Sequence, residues 1–282
     1  MKKTAFLCLV LAAVLYFTGS FWQPLTHGQS GMPGCASARG MAGAQGMDRT
    51  LEQADEMQGQ TEDYGAGSNG NDPDEQALIK EFEIVRQMPE LPTGCEVTAL
   101  TMMLNYYGCQ ADKTVMAEEY LPTAPAEFYE GADGRRYGPD MEAYFVGDPF
   151  SSGYICGTEA ILSAADAYLS DQGSSLRAED LTGAAPEELY ALVAEATPVL
   201  VWITIGMQER AEVQGWYTED GRWMEWSSND HGAVLIGYDA DTVTIADPLS
   251  GLCVYSRKMF EHVFASRGSQ CIIISREQSA KA

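Results

Sequence analysis

The sequence predicts an α+β fold, with an N-terminal helical part packed on a C-terminal antiparallel sheet. Helix-period apolar patterns come first along the folded region, and β-rich apolar runs come second. Two of those runs, Val234–Tyr238 and Thr242–Ala246, are joined only by Asp239–Asp241, a tight turn that makes them antiparallel neighbours.

Order begins near Ile79 to Val85, where EFEIVRQ alternates in polarity. The next segment, LPTGCEVTALTMMLNYYG (residues 91–108), is the most informative in the chain. Pro92, Thr93 and Gly94 make a turn, and Val97, Leu100, Thr101 and Leu104 recur at helical spacing. Glu96 suits the first helical turn, and Gly108 stops the helix. A second helical stretch, Lys113–Tyr120, ends before Leu121 and Pro122. Residues 123–153 read as a long, packed, Gly/Pro/aromatic-rich loop region of the kind that builds binding sites. Thr158–Leu169 and Pro186–Ala196 are two further helices. The strands then follow as Val199–Ile205, Val234–Tyr238, Thr242–Ala246 and Leu252–Tyr255. A short helix, Lys258–Phe264, leads to a closing strand, Gln270–Ser275.

The chain has 282 residues, with 17 basic and 41 acidic side chains and a net charge of −24. That balance argues against nucleic acid and against adsorption to anionic lipid headgroups, and it suits a soluble protein outside the cell. Lys2 and Lys3 followed by the apolar run Ala5–Phe17 read as an export signal, either removed or retained as an anchor over residues 1–20. Residues 21–79 are acidic, polar and rich in Gly, and are expected to form a disordered linker. The domain proper is placed at 80–276, with a short tail at 277–282. Seven cysteines at irregular spacings do not make a disulfide framework. Cys253 and Cys271 lie in strand-like segments, either paired across a ladder or present as two buried thiols.

A cysteine at a helix N-terminus sees the positive end of the dipole, which favours the nucleophilic thiolate. Cys95 is so placed. Such a nucleophile needs a base, and the chain has three histidines. His27 lies in the linker, and His262 sits in the amphipathic KMFEHVF helix as a structural or exposed residue. His231 opens the run HGAVLIGYD at a loop-to-strand junction, where it can face a cleft. The hairpin brings the end of the next strand beside it, so Asp247 is expected to hold the His231 Nδ1–H. Taken alone, Asp247-Pro248 reads as a turn opener. The Cys95 N–H and the Gln87 side chain are the candidate oxyanion donors.

The blocks LPTGCEVTALTMMLNYYG, YGPDMEAYFVGDPFSSGY, PVLVWITI, HGAVLIGYD and IADPLSG, in that order, resemble the peptidase C39-like family over roughly residues 80–276. These are papain-like cysteine peptidases related to the bacteriocin leader peptidases. The resemblance implies a papain-like fold, a Cys95–His231–Asp247 triad and Gln87 as the oxyanion glutamine. Gln87 stands farther from the cysteine than in the leader peptidases. Those are cytoplasmic domains of ABC transporters, so their double-glycine substrates do not carry over to an exported chain.

The expected activity is therefore that of an exported cysteine peptidase acting on peptide or amide bonds through a thioester. The alternatives are a non-catalytic peptide- or cell-wall-binding module on the same fold, or an acyltransferase or transpeptidase. No cofactor or metal is expected, since C-x-x-C and H-E-x-x-H are absent and three scattered histidines cannot build a structural site. The expected partners are a peptide or protein substrate and the cell envelope, with no nucleic acid, for a monomer. Trp202, Trp216, Trp223 and Trp226 are read as core and lid packing. The segment 207–230 leads into His231 and is a candidate for substrate selection.

Overall fold

Strands covered on both faces read as unbroken apolar runs, and VLVWITI and HGAVLIGYD are two such runs. Both lie inside the principal sheet of the computed structural model, which describes residues 76–276. The chain enters with β1 (Ala77–Leu78) and runs to α1 (Cys95–Tyr106) and the single turn α2 (Lys113–Val115). Four short strands follow: β2 (Thr123–Ala124), β3 (Tyr129–Glu130), β4 (Arg136–Tyr137) and β5 (Phe145–Val146). Next come α3 (Thr158–Asp171), β6 (Leu176–Asp180), α4 (Pro186–Ala194) and β7 (Val199–Thr204). A hairpin, β8 (Val213–Tyr217) and β9 (Trp223–Ser227), precedes β10 (Asp230–Tyr238) and β11 (Thr242–Asp247). The fold ends with β12 (Gly251–Ser256), α5 (Arg257–Ser266) and β13 (Cys271–Arg276).

The principal sheet has the order β12-β11-β10-β7-β13-β6, with β1 added on β10, and every pairing in it is antiparallel. All nine residues of β10 are buried. Helices α1 and α4 both touch β10, and α5 lies against β7, β11 and β12. The α+β expectation therefore holds, with helices feeding one large antiparallel sheet.

Helix α1 is buried all round from Cys95 to Leu104. A helix that is apolar on every face belongs inside a fold rather than on it. Its two buried threonines are satisfied locally: Thr98 Oγ1 donates to Gly94 O at 2.7 Å and Thr101 Oγ1 to Val97 O at 2.8 Å. Gly108, at φ +90°, supplies the left-handed exit.

Several elements differ from the sequence expectation. EFEIVRQ is ordered, as expected, and despite its alternation it is not a strand: Glu81 takes φ +59°, and Phe82, Ile84 and Val85 pack on the core. Ala77 and Leu78, assigned by sequence to the linker, pair instead with Tyr238 and Gly237. The 113–120 helix is α-helical only to Val115 and continues as a π-helical turn, Met116–Tyr120. The long loops 123–153 and 207–230 are not separate coverings. They contribute β3, β4, β8 and β9 to one four-stranded sheet, joined by the parallel pair Tyr137↔Tyr217. Strand β6 (LRAED) is too polar to stand out, and its pairing with β13 makes it a strand. Cys271 is a buried free thiol that donates to Leu181 O at 3.2 Å, so it does not pair with Cys253. The expected signal, most of the linker and the tail lie outside the described residues.

Candidate active site

Cys95 is the first residue of α1, after a Gly94 N-cap that offers no side-chain hydrogen bond. Gly94 is packed tightly, since a Cβ there would meet Leu91 Cβ at 3.0 Å. The 86–94 approach is held by Lys113, whose ammonium donates to the carbonyls of Arg86 and Gln87 and pairs with Glu90 at 2.7 Å. Thr93 donates to Asp148 O at 3.2 Å, tying this approach to the 147–153 loop.

His231 lies on β10 and Asp247 closes β11. Val234 pairs with Ala246, which sets the start of one strand beside the end of the other. The two side chains meet in a 2.9 Å hydrogen bond. The imidazole atom in that bond is Nε2, not the Nδ1 expected from the sequence. The Asp247 Oδ1 that accepts it also accepts the N–H groups of Leu249 (2.7 Å) and Ser250 (3.0 Å). Asp247 is thus a turn opener and the partner of His231 at once. Burial works against its charge. The His231 hydrogen bond and the two backbone donors outweigh burial and hold the carboxyl below its ordinary value.

Cys95 reaches the same place from the helical side. Its Sγ accepts the N–H of Gly232, the residue after His231, at 3.4 Å. The close approach requires glycine, because a Cβ on Gly232 would stand 2.8 Å from Glu96 Cγ and 3.0 Å from Glu96 Cα. The thiol itself donates to Glu96 Oε2 at 3.1 Å. Burial pushes the Cys95 thiol well above its usual value, and the neighbouring Glu96 carboxylate adds to the rise. The direction is opposite to the thiolate expectation drawn from the helix N-terminus. Cys95 is 7% exposed, His231 2% and Asp247 1%, so the site is closed. Two surface depressions, of about 500 and 410 Å³, are lined by other residues, Tyr129, Asp140 and Arg222 in one and Asp148 and Phe150 in the other.

Gln87 is buried between the two limbs of the site. Its N–H donates to Pro248 O, beside Asp247, at 2.8 Å. Its Nε2 donates to Leu91 O (3.2 Å) and Pro92 O (3.1 Å), while Oε1 has no partner. Of the remaining histidines, His262 is exposed and bonds Glu209 at 3.0 Å rather than Cys95 or Asp247, and His27 lies outside the described residues. Trp202 and Trp216 are fully buried, with indole N–H groups bonded to Cys156 O and Pro139 O, whereas Trp223 is exposed. No group of histidine, cysteine and acidic side chains fit to hold a metal occurs among the described residues.

Two residues were not read from the sequence as parts of the site. Asp230 is enclosed, with Arg210 on both its oxygens at 3.0 Å and Arg267 at 3.1 Å. That clamp fixes the chain immediately before His231. Glu96 is fully buried, and its Oε1 accepts the Cys156 N–H at 3.0 Å. The available signal for both was an acid beside a chemical residue at an otherwise apolar element.

The Peptidase_C39 like family matches residues 79–272. The uncharacterized protein YvpB of Bacillus subtilis strain 168 is 31% identical over 191 residues, covering 67% of this chain and 71% of its own. A protein of Bacillus anthracis, described from its crystal structure as a C39-like peptidase candidate, is 32% identical with a TM-score of 0.64. That alignment covers 73% of this chain and 100% of the other. The double-glycine-motif protease of an AMS/PCAT transporter is more distant, at 18% identity and TM-score 0.38, covering 71% and 98% of the two chains. With sequence and fold agreeing over almost all of the described residues, the chain belongs to the peptidase C39-like family.

Proposed function

We propose that this protein is an exported cysteine peptidase that cleaves peptide or amide bonds through Cys95, His231 and Asp247. The observation that carries the reading is the 2.9 Å His231 Nε2–Asp247 bond, on a strand whose next N–H reaches Cys95 Sγ. With Nε2–H donated to Asp247, the neutral imidazole keeps the Nδ1 lone pair for a proton. In the proposed cycle the thiol turns toward His231 and gives its proton to Nδ1. The sulfur attacks the substrate carbonyl, and the charge on oxygen is met by the Cys95 N–H and the Gln87 amide. For that last role the Gln87 amide exchanges its Leu91 and Pro92 carbonyls for the oxyanion. The imidazolium protonates the leaving amine, and water then resolves the thioester with His231 as base.

The closed site requires the covering segments to move as substrate enters. The proposal places the protein outside the cytoplasm, at the cell envelope, by way of its N-terminal apolar run. Among the described residues no helix is long and apolar enough to cross a membrane. The test is a peptide-library digest with a thiol-directed probe, run on the wild type and Cys95→Ala. Cleavage and labelling that vanish in the variant support the proposal. An unlabelled, inactive wild type overturns it in favour of a binding module, and amine-dependent products overturn hydrolysis in favour of acyl transfer.

A further inference from the structure

Glu96 is the one acid of α1, and every part of it is enclosed. Enclosing a carboxylate is costly unless each oxygen is used. Here Oε1 accepts the Cys156 N–H at 3.0 Å, which ties α1 to the segment entering α3. That bond alone would account for a structural residue. Oε2, however, accepts from the Cys95 thiol at 3.1 Å, and Gly232 on β10 leaves no room for a Cβ against Glu96 Cα and Cγ. The carboxylate is therefore wedged between the nucleophile and the strand that carries its base.

We propose that Glu96 is a positioning residue that holds the Cys95 thiol by its proton in the resting site, so that the nucleophile is released by rotating from Glu96 toward His231. The inference rests on the reading of Cys95 as nucleophile. On release the S–H···Oε2 hydrogen bond breaks, and the proton passes from sulfur to His231 Nδ1. The electron pair left on sulfur forms the bond to the substrate carbonyl carbon. Glu96 takes no proton in this step. Its effect is to keep the resting sulfur protonated and unreactive toward passing electrophiles. The other titratable groups facing the pair are His231 from β10, Asp247 from β11, Cys156 before α3 and Arg267 at the end of α5. None of these accepts the Cys95 proton in the resting hydrogen bond, which goes to Glu96.

Glu96→Gln is the informative substitution. Its Oε1 still accepts from Cys156, while an amide donor replaces the acceptor at the thiol and favours thiolate. The full chain is alkylated with iodoacetamide across a pH series, and the Cys95 peptide is quantified by mass spectrometry. The midpoint for Cys95 is expected about one pH unit lower in Glu96→Gln, a tenfold faster reaction on the acid side. An unchanged midpoint in a folded variant overturns the proposal. If the variant does not fold, the wild-type S–H infrared band, assigned by its loss in Cys95→Ala, decides. A band below that of the half-buried Cys109 thiol supports the hold, and one at or above it overturns the hold. Turnover retained by Cys95→Ala would instead refute the nucleophile reading and leave the band position to report on Glu96 by itself.

Discussion

Asp247 Oδ1 accepts three hydrogen bonds, and this sets what its substitutions should do. Cys95→Ala and His231→Ala are expected to abolish turnover. Asp247→Ala should leave a residue of about one part in 10³ to 10⁴, because the group orients the base and does not itself take the proton. Steady-state kinetics on all three, with His262→Ala as the control, checks the assignment. An equal loss at the exposed His262 would count against it. Asp247 also links stability to pH. Its carboxyl is held below the ordinary 3.8 in the folded protein, so its stabilisation is present above that value. It is lost as pH falls through the lower, folded value. Asp247→Asn should therefore cost about 1–3 kcal/mol at neutral pH, and the deficit should shrink below pH of about 4. Urea unfolding of both proteins at several pH values measures it, and a deficit independent of pH would refute the linkage.

At the scale of elements, the contact between α1 and β10 governs the site. Gly232 leaves no room for a Cβ against the Glu96 backbone, so Gly232→Ala must push helix and strand apart. The expected cost is about 1–3 kcal/mol, read as a lower melting temperature. Cys95 reactivity should change with it, because the Gly232 N–H to Sγ contact moves. An unaltered melt would show the interface to be looser than its distances imply. The same elements show what the sequence disclosed. α1, β7, β10 and β11 were legible because each is long, apolar and periodic. Strand β6 was not, because LRAED offers only Leu176 and Ala178 to the core and is ordered by β13. The alternation of EFEIVRQ marked an ordered segment but not a strand, since the edge of β10 is taken by Ala77 and Leu78. The β8–β9 hairpin was visible as an aromatic cluster, yet its partner β4 lies far away in sequence.

The molecule as a whole is expected to fold from residue 76 onward, since among the described residues β1 is the first element paired to the sheet. A chain beginning at residue 76, melted in reducing buffer, should unfold within about 2 °C of the full chain. A larger fall would make the preceding segment part of the fold. By itself the sequence determined the α+β class, the order of the main elements, and a cysteine, a histidine and an aspartate at element ends. These are local facts, carried by hydrophobic period and turn chemistry. Only the tertiary structure decided which imidazole nitrogen meets Asp247, that two distant loops share one sheet, and that Asp230 is clamped by two arginines. It also decided that the Cys95 proton is held by Glu96. Strand register, burial and the close approach of one backbone to another fix those outcomes: His231 with Asp247, β4 with β8, and Asp230 with its arginines are brought together across the chain, and the neighbours Cys95 and Glu96 meet because both are buried against β10.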